Sequence, residues 1–225
     1  MAPRICPDRC HTIETGMSAR KGRKLAILEP VVLFGLILAY IWSLRYHYPA
    51  AWAPILALPL ASHWWRGEGA SALGFRVQNL SECLRRFAPA LGFLALMLLE
   101  SGLLLDTVRR IALDRAALTW AIYLPWGLFQ QYLLNGYCLT RLQIVLPGRG
   151  AALAAAALFS AVHAPNWFLM LVTLAAGYAA ARLYSRYRNL YFLGLAHATL
   201  GVMLFLVVPD SISHHLVIGP GWYGH

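Results

Sequence analysis

The chain has 225 residues, of which 60% are apolar and only 12% charged. Soluble domains average about 45–50% apolar and about 25% charged, so the composition excludes an ordinary soluble fold and places the chain in the membrane class. Its net charge of +10 points to basic flanks that set orientation in a bilayer. It does not point to nucleic acid, because a basic balance without a recognition motif is weak evidence.

In chain order, residues 1–24 form a polar, basic tail containing Arg20, Lys21, Arg23 and Lys24. No apolar core followed by a small-residue cleavage site marks a signal peptide, and Met17 opens MSARKGRKL, an expected alternative start. Cys6, Cys10 and His11 in CPDRCH fall short of a zinc pattern, lacking a second ligand pair. Apolar runs follow over about 27–45 and 50–65. Leu80, Leu84 and Phe87 then recur at i, i+4, i+7, predicting a short amphipathic interfacial helix within 66–87. Further spans are expected over about 88–105, 120–141, 151–164, 166–184 and 190–208, with a short amphipathic stretch at 106–117 and a PGRG turn at 147–150. The tail 209–225 is expected to be a loop, with Gly-Pro-Gly-Trp-Tyr as an interfacial aromatic anchor. The expected architecture is therefore an all-α polytopic bundle of about seven spans, forming one transmembrane domain over 25–208. With the N-terminus inside, fifteen of the 19 Lys and Arg residues fall on inner segments and four on outer ones, which predicts a cytoplasmic N-terminus and an outside C-terminus.

The fourth run, TWAIYLPWGLFQQYLLNGYCLTRL, holds Gln130, Gln131 and Asn135. An unpaired amide in hydrocarbon costs several kcal/mol, so these groups require partners. At about 1.5 Å per residue, Gln130 lies about 16 Å from the inner face, His163 about 18 Å and His197 about 11 Å. Three polar positions on three helices thus fall at similar depth, which favours a shared interior site. A single intramembrane histidine also serves simply to join two helices or to bond a carbonyl. Gln131, Asn135 and Cys138 share one helix face. Cys138 is a conceivable third metal ligand beside the two histidines, but an inert buried thiol accounts for it more simply. Glu100, also inside a span, reads as a snorkelling carboxylate.

These residues resemble the CPBP family of intramembrane endopeptidases, which includes CAAX prenyl endopeptidases and bacteriocin-processing and immunity proteins. The family's motifs are EExxxR, FxxxH and HxxxN. Phe159 to His163 reads FxxxH, His197 opens the third motif, and Gln130-Gln131 with Asn135 stands at the first. Glutamine replaces both glutamates, Asn135 the arginine, and Gly201 the final asparagine. The resemblance spans roughly 66–208. It implies an intramembrane protease acting on membrane-associated proteins or peptides, with Gln130, Gln131, His163 and His197 at the catalytic positions. Asn135, Phe159 and Gly201 support the motifs, and no metal or cofactor is implied. In the family, the first glutamate and the FxxxH histidine activate water, while the second histidine and the asparagine hold the oxyanion. The resemblance further implies a bacterial inner-membrane location. Because a carboxamide cannot take a proton, the alternative is an inactive CPBP-fold protein with a binding, immunity or chaperone-like role.

Overall fold

The structure, a computed structural model, describes residues 8–224, with side chains from Gly22 onward. The side chains of the 1–16 segment, the CPDRCH stretch among them, lie outside the described residues. Among the described residues, seven helical rods follow one another. They are α1 (Asp8–Ala39, continued by a π-helical turn Tyr40–Leu44 to His47), α2 (Trp52–Trp65), α3 (Leu80–Leu104) and α4 (Leu113–Gln131, continued by a π segment Tyr132–Leu139 and by Thr140–Leu142). The remaining three are α5 (Gly148–Ala161), α6 (Trp167–Tyr187) and α7 (Leu190–Val207). The all-α bundle is as expected.

The rods agree in number with the expected seven segments but differ in length. Among the described residues, four helices are long and apolar enough to cross a membrane: Gly22–His47, Leu80–Leu104, Trp167–Tyr187 and Leu190–Val207. At 14 residues each, α2 and α5 rise only about 21 Å, short of an apolar core about 30 Å thick. The rod of α4 has ample length, but its polar residues dilute the apolar run. The separate interfacial helix anticipated before residue 88 does not exist. Leu80, Leu84 and Phe87 form the first turns of α3 and pack on the core. Residues 107–112 are an extended loop rather than an amphipathic helix, and α4 begins at Leu113.

Two pairings position the interior: α4 packs chiefly on α7, and α5 on α6. The first depends on glycines. A Cβ on Gly194 would stand 2.8 Å from Leu128 Cα, and one on Gly127 would stand 3.1 Å from Gly194 O. Small residues at this crossing let the two backbones approach closely. Every residue from Gln131 to Leu139 is buried, so the polar half of the fourth apolar run forms the centre of the bundle. Glu100, by contrast, is exposed on α3.

The C-terminal residues are not the expected loop. They fold into short helical turns (Asp210–Ser213, His214–Leu216 and Gly219–Gly224) laid against the α5–α6 turn and α1. Trp222 stacks on His214 at 3.7 Å, and Tyr223 meets Trp42 edge-on. His214, His215 and Leu216 all adopt left-handed backbone angles (φ 46°, 53° and 57°). Such residues cost on the order of 1–3 kcal/mol each and persist only where surrounding contacts over-determine them.

Candidate functional site

Gln131 is the centre of the site. It is 4% exposed and ends the regular part of α4, where the π segment widens the helix and carries Asn135 onto the same face. Asn135 Nδ2 donates to Gln131 Oε1 at 2.7 Å, and Gln131 Nε2 reaches His197 Nδ1 on α7 at 3.0 Å. The widened turn frees carbonyls, and Thr140 Oγ1 takes up those of Gly136 and Tyr137 at 2.8 Å each.

The direction of this chain of bonds follows from its one unmet atom. Asn135 Oδ1 is buried without a partner. Reversing both amides would instead bury an NH2 group carrying two unmet donors, the costlier choice. Gln131 therefore donates, His197 Nδ1 accepts, and the proton of the neutral imidazole sits on Nε2.

His163 has the opposite polarity. At the end of α5, its Nδ1 lies 2.8 Å from the carbonyl of Phe159. A carbonyl only accepts, so Nδ1 carries the hydrogen and Nε2 keeps a free lone pair. The ring of Phe159 meets both imidazoles edge-on, with centroids 5.0 Å from His163 and 6.3 Å from His197. One aromatic side chain thus holds the spacing between an imidazole that accepts at Nε2 and one that donates there. This pairing is able to take a proton from a nucleophile and give a hydrogen bond to a developing oxyanion.

The other sequence-predicted positions separate. Gln130 is half-buried and makes no hydrogen bond with the described residues, so its carboxamide stays uncommitted. Gly201 brings no polar group to the site. A Cβ there would lie 2.7 Å from Tyr123 Cε1, and the Tyr123 ring in turn lies 6.0 Å from the His197 ring. Tyr123 thus fills the space that the family's asparagine would require. Cys138 is fully buried among apolar side chains, as an inert core thiol is.

A second polar cluster escaped the sequence reading. Arg141, counted there as a basic flank, is 1% exposed. It grips Glu68 with two bonds (Nη1 to Oε1 at 2.7 Å, Nη2 to Oε2 at 2.6 Å), while its Nε donates to Glu29 at 3.1 Å. Ser62 donates to Glu29 at 2.8 Å, Arg66 pairs with Glu29, and His63 Nδ1 meets Glu68 at 2.6 Å. Burial pushes the Glu68 carboxyl up, but the hydrogen bonds and charges of Arg141 and His63 outweigh it and hold the pKa at about 2. The cluster ties α1 and α2 to the end of the α4 rod. The available signal was a glutamate in the first apolar run and a histidine at the end of the second, both needing partners.

The family model for type II CAAX prenyl endopeptidases, Rce1-like, matches residues 112–203, a stretch that contains Gln130, Gln131, Asn135, Phe159, His163, His197 and Gly201. Comparisons with curated proteins and with solved structures give no match. From α4 into α7, this integral membrane protein is therefore similar to the type II CAAX prenyl endopeptidases, and the likeness supports a CAAX-type intramembrane protease fold for that stretch.

Proposed function

We propose that the chain is an intramembrane peptidase that hydrolyses membrane-associated proteins or peptides with an imidazole pair in place of the glutamate-led site. The observation that carries this reading is the opposite polarity of the two histidines. His163 Nε2, with Nδ1 held by Phe159 O, accepts a proton from the attacking water. His197, held by Gln131, presents Nε2–H to the carbonyl oxygen as it becomes an oxyanion. Asn135 fixes the rotamer of Gln131, and Gln130 offers its uncommitted carboxamide to water or substrate. Phe159 sets the imidazole spacing, and Gly201 admits Tyr123. Among the described residues no carboxylate shares the proton-accepting role with His163, and losing such a partner slows these reactions by about 10²–10⁴, so turnover is slow.

The proposed placement is a bacterial inner membrane, with the N-terminus cytoplasmic and the C-terminus outside, from the distribution of Lys and Arg when all seven rods, the short α2 and α5 included, are taken as crossings. A second reading, an inactive CPBP-fold binding or immunity protein, is favoured by one observation: Gln131 spends both ends of its amide on Asn135 and His197. Cleavage of a co-expressed membrane-anchored substrate by the wild type and by His163→Ala separates the two. Cleavage lost in the variant supports the peptidase, whereas no His163-dependent cleavage supports the binding protein.

A further inference from the structure

The C-terminal segment leaves the end of α7, the helix that carries His197, and is fastened to the turn that carries His163. Asn166, three residues beyond His163, is fully buried and spends its whole side chain on this junction. Its Nδ2 donates to the carbonyls of Ser213 at 2.9 Å and Val217 at 3.1 Å, and its Oδ1 accepts from Leu169 N at 3.1 Å, capping α6. Its backbone N–H closes the turn on His163 O at 3.0 Å, and Gly219 N–H donates to Ala164 O at 2.9 Å. The left-handed backbone of His214 to Leu216 reverses the segment so that two carbonyls four residues apart face one amide.

The segment is also fixed at its start. Arg109 pairs with both oxygens of Asp210 and donates from Nε to Phe205 O at 2.6 Å, at the last turn of α7. One strap therefore joins the end of the His197 helix to the His163 turn, and both of its attachments are hydrogen-bonded. We propose that Asn166 is a positioning residue for His163, acting through residues 209–224, and that this strap holds the His163 turn at its distance from α7 while Phe159 spaces the two rings. The proposal rests on the peptidase reading for its catalytic consequence but not for its geometry.

Asn166→Asp provides the test. It keeps the acceptor for Leu169 N, and hence the start of α6, but loses both donors to the strap and sets a carboxyl group against two carbonyls. Full-length wild type and variant are compared in two measurements. In the first, cleavage of a membrane-anchored peptide, kcat is expected to fall about tenfold or more, the scale of a displaced catalytic group, with KM within about twofold. In the second, carbethoxylation of His163 by diethyl pyrocarbonate, followed by mass spectrometry, the wild type, whose His163 is 9% exposed, is expected to react several-fold more slowly than the variant. Asp210→Asn, which weakens the other attachment, should shift both readouts less and in the same direction; it decides the matter if Asn166→Asp does not fold. Unchanged kcat and unchanged His163 reactivity in the folded variants overturn the proposal. A wild type without His163-dependent cleavage overturns the peptidase reading instead, and the carbethoxylation rates still decide whether the strap holds His163.

Discussion

Gln131 on α4 donates to Nδ1 of His197 on α7 across 3.0 Å while accepting from Asn135 one turn along its own helix. Its neighbour Gln130 makes no such bond. The two adjacent glutamines should therefore respond differently to the same substitution. Gln131→Leu removes a donor and an acceptor from a buried network and leaves Asn135 Nδ2 and His197 Nδ1 unmet, at a cost of about 1–3 kcal/mol per orphaned group. Gln130→Leu should leave thermal stability in detergent within about 0.5 kcal/mol of wild type, as for a side chain outside any network, while lowering turnover. Melting curves of the two purified variants check this; equal destabilisation would show that Gln130 is also engaged.

Restoring the family residue at position 201 should be harmful here. Gly201→Asn places a Cβ 2.7 Å from the Tyr123 ring, and overpacking of this kind costs about 1–3 kcal/mol. The double variant Gly201→Asn with Tyr123→Ala should recover much of that loss, because the second change opens the space the first requires. A double-mutant cycle on melting temperature measures the coupling, and additive effects would contradict the contact.

Much of this arrangement was legible in the sequence, and the reason is periodicity. The FxxxH spacing fixes Phe159 and His163 on one face of α5, and Gln131 and Asn135 four apart share a face whatever the tertiary fold. Depth along apolar runs likewise brought His163, His197 and the glutamines to one layer. What the sequence hid depends on contacts distant along the chain. Arg141 meets Glu29 and Glu68 across separations of 112 and 73 residues, so a charge that reads as a solvated flank is a buried tie. Position 201 departs from the family pattern for a reason visible only in three dimensions, the ring of Tyr123. The C-terminal segment, rich in glycine and histidine, reads as a loop because its order comes from Asn166 and Arg109 and not from local propensity.

The Arg141 cluster implies an acid limb in stability. The Glu68 pKa, held at about 2, lies below its ordinary value of 4.5. A depressed carboxyl contributes stability that is fully present above its unfolded pKa and lost as pH falls through the folded one. Melting temperature should therefore drop as pH falls from about 4.5 toward about 2, and Glu68→Gln should flatten that part of the profile. Arg141→Leu should cost about 3 kcal/mol at neutral pH, because it leaves Glu68 without its guanidinium partner while Glu29 keeps Arg66. A profile for Glu68→Gln that parallels wild type would remove Glu68 from this role.

Orientation is open to a direct check. A periplasmic-type reporter enzyme fused after His225 should be active, and a fluorescent protein that matures only in the cytoplasm should stay dark there, as the positive-inside distribution requires. A bright cytoplasmic reporter would invert the topology and place the Arg141 cluster on the outer side.

In the proposed peptidase, His163 and His197 form one hydrolytic pair. Its most direct measurement is cleavage of a membrane-anchored substrate by wild type, His163→Ala, His197→Ala and the double variant, each shown to be folded by its melting curve. The pair predicts that either single change removes nearly all cleavage and that the double variant loses little more, as residues acting as one unit do. Cleavage by His163→Ala at the wild-type rate would contradict it.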